Sequence, residues 1–161
     1  MITSNLNGTK VKKGQRRILN VDFFRKISQA YSKMCKPLCR ELGIPQTAFD
    51  ILMFLANNPQ YKTAGEIVEI RKLKANLVSV NVDKLVTEGY LTREAVKGDR
   101  RKTKLECTEK AKPIIEKGRA LQENFFELFF KNTDEQTRRA FFETVEIMSR
   151  NLDEILEDEN R

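Results

Sequence analysis

The segment from Leu91 to Thr108 constrains this chain more than any other. Two short β-like runs flank a tight, cation-rich turn. Gly98 supplies the backbone freedom that a reversal needs, and Asp99 is a good turn former. Arg100, Arg101 and Lys102 crowd the tip, with Lys97 and Lys104 on either side. A hairpin armed in this way suits contact with a polyanion. A helix-rich segment ending in Thr87-Glu88-Gly89-Tyr90 leads into it.

The chain has 161 residues, enough for one domain with or without dimerisation arms. Its formal charge of +7 favours a polyanionic partner. No apolar run reaches the ~18 residues of a membrane span. The polar, basic start has no signal-peptide core, so a cytoplasmic protein with no membrane partner is expected. Three cysteines show no zinc spacing, and histidine is absent, which removes the commonest metal ligand and general base. There is no GxGxxG, no P-loop and no Ser-His-Asp set. No enzyme, no metal and no cofactor are therefore expected.

Residues 1–17 carry Lys10, Lys12, Lys13, Arg16 and Arg17 without an acid, and read as a basic mobile tail. From Ile18 to Leu42 apolar residues recur at helical steps, from Val21 and Phe24 to Leu38. Pro37 sits within this helix, a site of kinking. Gly43 closes it and Pro45 opens a second, with Phe49, Leu52, Met53 and Leu55 inward. Thr63-Ala64-Gly65-Glu66 reads as a capping box, followed by a short helix with Ile67, Val68 and Ile70 inward. The next helix, about Ala75 to Glu88, turns Val78, Val82, Leu85 and Val86 inward. After the hairpin, Thr108 is expected to cap a long helix that carries Pro113 near its start. Asn132-Thr133-Asp134 breaks it, and Thr133 with Gln136 is expected to cap the last helix.

The order is three helices, a recognition-type helix, a hairpin and two long helices. This predicts a mainly α fold with a small β-hairpin wing: a winged helix-turn-helix DNA-binding lobe at about 45–110, with helices at about 18–42 and 109–158 forming a dimerisation lobe. Residues 18–161 are read as a single domain. The pairs Phe125-Phe126, Phe129-Phe130 and Phe141-Phe142 each point two rings about 100° apart on a helix. So much apolar surface calls for a partner, and a homodimer through Phe125, Phe129, Phe141, Phe142, Val145 and Leu152 is expected. On the fourth helix, Lys74, Asn76, Ser79 and Asn81 are polar and near the N-terminal half. Asparagine can bond adenine bidentately in the major groove, and a helix N-terminus favours phosphate.

This order of residues resembles the MarR family of bacterial transcription regulators. The resemblance rests on Asp99-x-Arg101 at the wing, on Leu105-x-Cys107-Thr108-Glu109-Lys110-Ala111 into the next helix, on Val82-Asp83-Lys84-Leu85 with Glu88-Gly89-Tyr90-Leu91, and on Leu42-Gly43-Ile44-Pro45. It covers about Phe23 to Leu156. Val80 stands where the family often carries arginine, and Cys107 and Ala111 replace the usual Leu and Gly. The resemblance implies a double-stranded-DNA-binding regulator, most often a repressor, on a pseudo-palindromic operator. It places Arg101 in the minor groove, with Asp99 fixing its aim and Arg100, Lys97 and Lys102 on phosphates. It further implies release by a small apolar or aromatic effector in a pocket near Tyr31, Met34, Phe49, Met53 and Ile115.

Two alternatives stand beside this reading. Cys35 and Cys39 lie one helical turn apart, and Lys33, Lys36 and Arg40 could lower a thiol pKa, which would suit a redox-sensing regulator. The family's sensor cysteine lies elsewhere, near the start of the first helix. A winged helix can also serve as an architectural or protein-interaction module.

Overall fold

The computed structural model describes the backbone of residues 21–96 and 99–158, and the side chains of 22–95 and 103–157. The expected basic tail, the start of the first helix at Ile18, and Lys97 with Gly98 at the turn lie outside the described residues. Helices and strands follow in the order α1 (Val21–Leu42), α2 (Gln46–Asn57), α3 (Ala64–Arg71), α4 (Ala75–Thr87), β1 (Leu91–Val96), β2 (Asp99–Cys107), α5 (Lys112–Phe129) and α6 (Glu135–Asp158). This is the mainly α, hairpin-bearing winged-helix architecture that the sequence predicts. It divides into two compact units, residues 1–121 and 122–161, with the boundary inside α5.

In the first unit, α2 is the central element. Ala48, Phe49, Ile51, Leu52, Met53, Phe54 and Leu55 are all buried on it. Residues on nearly every side are apolar, as expected of a helix enclosed by its neighbours. Cys35 and Leu38 from α1, Ile67 from α3, and Val78, Val82 and Leu85 from α4 complete the core, with Leu91, Leu105, Ile114 and Ile115. α1 runs on through Pro37. Gly43 at φ +63° and Gly89 at φ +74° let the chain reverse after α1 and α4, a conformation that costs a residue with a Cβ.

The box at the start of α3 forms as expected. The Glu66 amide donates to Thr63 Oγ1 at 3.2 Å, and Glu66 Oε2 accepts from the amides of Thr63 and Lys62, each at 2.8 Å. Three other local expectations fail. Ile70 is exposed, because neighbouring elements cover only the side of α3 that carries Ile67 and Val68. Thr108 caps no helix: its hydroxyl donates to the Gly89 carbonyl at 2.7 Å, and a 3₁₀ turn over Glu109–Ala111 precedes α5. Thr133 donates to the Phe130 carbonyl at 2.6 Å, and Asp134 takes over as cap, its Oδ1 accepting from the Thr137 amide at 2.7 Å. That bond holds the Asp134 carboxyl below its usual range.

The second unit contains the C-terminal part of α5, a reversal at Asn132 and α6. Phe130 is its buried centre, with ring centroids 4.9 Å from Phe129, 5.1 Å from Phe141 and 5.4 Å from Phe142. Arg138 braces the reversal: its guanidinium donates to both oxygens of Glu127 and to the Phe130 carbonyl.

Candidate nucleic-acid interface

The hairpin is fixed to the helices at its root. Its antiparallel register pairs Leu91 with Cys107, Arg93 with Leu105 and Ala95 with Thr103, and becomes irregular between Ala95 and Val96. The Leu105 amide donates to the Lys62 carbonyl at 2.6 Å, and a bridge joins Lys104 to Thr63, tying β2 to the start of α3. Thr108 and Lys110 donate to the carbonyls of Gly89 and Glu88, each at 2.7 Å, so the turn after α4 is clamped to the turn after β2. Arg93 on β1 pairs with Asp83 on α4. Lys104 pairs with Glu106, which lowers the carboxyl pKa and raises that of the ammonium. The strand carrying Asp99, Arg100, Arg101 and Lys102 is thus aimed by α3 and α4. The side chains of those four residues lie outside the described set.

Helix α4 presents a strip bounded by α3 and β1. Lys74, its N-cap, supplies no side-chain cap, and its first turn has no acid. The first amides of such a helix favour an anion. Asn76 and Ser79 are exposed, as expected. Asn76 Oδ1 accepts from the Leu77 amide at 2.9 Å. Ser79 borders a crevice of ≈ 560 Å³ lined by Thr63, Val68, Val82, Arg93 and Leu105 among others.

Asn81 departs from expectation. It is only 5% exposed, and its Nδ2 donates to the Leu77 carbonyl at 2.8 Å. It belongs to the packed side of α4, with its amide engaged within the helix. Its place is taken on the outer face by two residues that the polar pattern passes over, Leu77 and Val80.

The residues expected to line an effector pocket are also placed differently. Tyr31 and Met34 are half-buried, but Phe49 and Met53 have almost no exposed surface and Ile115 is buried. Phe49 and Met53 close on Gly118: a Cβ there would lie 2.4 Å from Met53 Sδ and 3.1 Å from Phe49 Cζ. These two side chains are core, because the missing side chain of Gly118 lets them pack against the α5 backbone.

The thiols are quiet. Cys35 and Cys39 are buried. Burial pushes Cys35 up to about 11, against the pull of a hydrogen bond with Tyr31, and Asp50 and Cys39 push it further. Burial and the Asp50 charge raise Cys39, and burial likewise raises Cys107. The expected lowering by Lys33, Lys36 and Arg40 does not occur, since desolvation outweighs those exposed cations. Among the described residues no cluster could hold a metal ion, and no helix is long and apolar enough to cross a membrane.

In the second unit, Phe141, Val145, Met148, Leu152 and Ile155 follow one another at alternating four- and three-residue steps along α6, and all five are exposed in the single chain. Phe142 is exposed beside them. Phe125 and Phe129 stack at 6.1 Å between ring centroids.

The sequence pattern of the MarR family matches residues 42–102, from the end of α1 through α4 to the wing. Over that segment the chain is similar to the MarR family. Solved structures agree with that placement. A MarR transcriptional regulator from Methanosarcina mazei Go1 is 25% identical, with 87% of this chain and 96% of that chain covered and a TM-score of 0.69. A MarR-family regulator from Listeria monocytogenes, solved with a 26mer DNA, is 17% identical, with 83% and 88% covered and a TM-score of 0.73. The MepR–DNA complex of S. aureus is 15% identical, with 81% and 95% covered and a TM-score of 0.66. The last two show the shared fold. No curated protein matches the chain in sequence. The polar pattern of α4 did not flag the exposure of Leu77 and Val80. Their signal is angular: with about 100° per residue, Val80 falls opposite the buried side of Val78 and Leu85.

Proposed function

We propose that this chain is a MarR-family transcription regulator, not an enzyme, that binds double-stranded DNA sequence-specifically as a homodimer. The observation that carries the reading is the joint placement of α4 and the wing. An uncapped helix N-terminus without acids stands beside a hairpin whose root is locked to α3 and α4. Basic residues crowd the wing, and Arg71, Lys72 and Lys74 precede α4, as phosphate contact requires. Lys74, Asn76 and Ser79 serve the major groove, and Lys97, Arg100 and Lys102 the phosphates. Arg101 enters a narrow minor groove, where the negative potential is strongest, with Asp99 setting its direction. Two proteins of similar fold were solved with DNA, which supports DNA binding by this chain.

The dimer uses the exposed α6 seam, so the operator is a pseudo-palindrome with half-sites about 10 bp apart, one helical turn. Repression released by a small apolar effector, with the protein in the cytoplasm, completes the proposal by family resemblance. Phe49 and Met53 would have to move for an effector to enter between them. The thiol-sensor alternative is the less favoured reading, because Cys35 and Cys39 are buried and burial raises their thiol pKa, while oxidation requires thiolate.

Selection of bound duplexes from a random pool tests the whole reading. Enrichment of a two-fold-related site is expected. For the selected duplex, the log–log salt dependence should have a slope of about −0.9 per neutralised phosphate. Arg101→Ala should weaken binding most on A·T-rich flanks. A pool that remains random after repeated selection would overturn the proposal.

A further inference from the structure

The outer face of α4 is not uniformly polar. Val80 is 67% exposed and Leu77 41% exposed, although the helix has already turned Val78, Val82 and Leu85 into the core. Val80 lies one turn beyond Asn76, so the two side chains are stacked along one line of the helix. The strip is bordered by cations. Arg71, Lys72 and Lys74 precede it, and no acid occurs from Arg71 to Asn81. The first acid, Asp83, is paired with Arg93. An apolar strip with a cationic border and no free acid complements a surface that is anionic at its edges and carries methyl groups within. The major groove of an A·T-containing duplex is such a surface: phosphates line its rims, and each thymine projects a 5-methyl group into it.

Resting on the proposed DNA-binding reading, we propose that Val80, assisted by Leu77, selects A·T pairs by packing against thymine methyl groups. Asn76 stands beside Val80 and can bond the adenine of the same or a neighbouring pair once it exchanges its local bond to the Leu77 amide. Asn81 takes no part, because its amide is spent on the Leu77 carbonyl inside the fold. One helical line thus carries a hydrogen-bonding group for adenine and an apolar group for thymine.

The test removes the methyl group and nothing else. In the duplex selected from the random pool, each dT is replaced singly by dU, which pairs identically but lacks the 5-methyl group. At one or more positions in each half-site, the parent protein should lose affinity by about fourfold, the worth of one buried CH₂-sized group. Val80→Ala should bring the dT-to-dU ratio at that position close to one, and Leu77→Ala should reduce it. Asn76→Ala should weaken binding but leave the ratio intact. Both apolar residues are exposed, so helix content by circular dichroism should be unchanged. Equal affinity for dT and dU duplexes at every position would overturn the proposal while leaving DNA binding in place. So would a Val80→Ala, Leu77→Ala double variant that kept the parent ratio. If no duplex is selected at all, the DNA-binding reading fails and this proposal fails with it.

Discussion

Asn81 donates from Nδ2 to the carbonyl of Leu77 at 2.8 Å, one turn back along α4, and is almost wholly enclosed. A side chain whose chemistry suits a base edge is instead part of the scaffold. Asn81→Ala should therefore lower stability and leave sequence preference alone. Losing a part-buried hydrogen bond and some packing is worth about 1–2 kcal/mol. Urea denaturation measures the first effect and duplex selection the second. A changed consensus in a variant of unchanged stability would show that Asn81 does contact bases.

Gly118 is a helical glycine for which alanine should be harmful. In an open helix the exchange gains about 1 kcal/mol. Here the added Cβ would lie 2.4 Å from Met53 Sδ, 2.9 Å from its Cε and 3.1 Å from the Phe49 ring. Overpacking of that kind costs about 1–3 kcal/mol, so Gly118→Ala should be net destabilising by about 1 kcal/mol. Gly65 offers the contrast, since its nearest neighbour is Thr63 Oγ1 at 3.9 Å. Gly65→Ala should be neutral or stabilising. Denaturation midpoints of both variants against the parent check the pair.

The elements that follow from local rules were legible in the sequence. The Thr63 and Glu66 box, the reversals at Gly43 and Gly89, and the inward line of Val78, Val82 and Leu85 each depend on residues a few positions apart. The family resemblance was legible too, because it rests on ordered motifs. What the sequence concealed depends on which side of an element the rest of the fold covers. Asn81 lies only about 40° from Leu85 around α4, so its helical angle places it inward although its chemistry suggests otherwise. Thr108 and Thr133 stand where caps belong, but a hydroxyl can donate as readily as accept, and nearby carbonyls claimed both. Met53 reads equally well as pocket or core until Gly118 is seen to close on it.

Asp50 should make the protein less stable as the pH rises through the mildly acidic range. Burial raises its carboxyl pKa, and the Arg71 charge offsets this only in part. A carboxyl with a raised folded-state pKa binds its proton more tightly in the folded chain. Its contribution is therefore full below the unfolded pKa of about 3.9 and is lost as the pH climbs through the folded value. Asp50→Asn should remove this dependence and raise the urea midpoint at pH 7. A lower midpoint at pH 7 would mean that the attraction of the Arg71 charge outweighs desolvation.

Cys35 should resist alkylation while the protein is folded. With its pKa pushed up to about 11, only on the order of one thiol in a thousand is thiolate at pH 8, before burial further limits access. Iodoacetamide labelling followed by mass spectrometry should be slow in buffer and fast in denaturant. A Cys35→Ser, Cys39→Ser variant should still bind its selected duplex, at a stability cost of about 1–3 kcal/mol per buried hydroxyl. Loss of binding on peroxide treatment in the parent, but not in this variant, would restore the redox reading.

The α6 seam should hold the dimer together. Val145, Met148, Leu152 and Ile155 extend the line begun by Phe141, and their spacing averages the 3.5 residues that keep one stripe facing a second helix. Phe141 is already engaged with Phe130, so the outer part of the line is the better place to probe. Met148→Glu with Leu152→Glu would set charges against an apolar partner surface and remove two anchors of about 1.5–3 kcal/mol each. The dimer dissociation constant should rise by at least about 100-fold. Ile147 is equally exposed but lies about 100° off the stripe. Ile147→Glu should leave the assembly intact, which separates a seam from a general preference for apolar surface. Sedimentation velocity across micromolar concentrations would read both variants. A parent that sediments as a monomer, or a double-Glu variant that remains dimeric, would remove α6 from the interface.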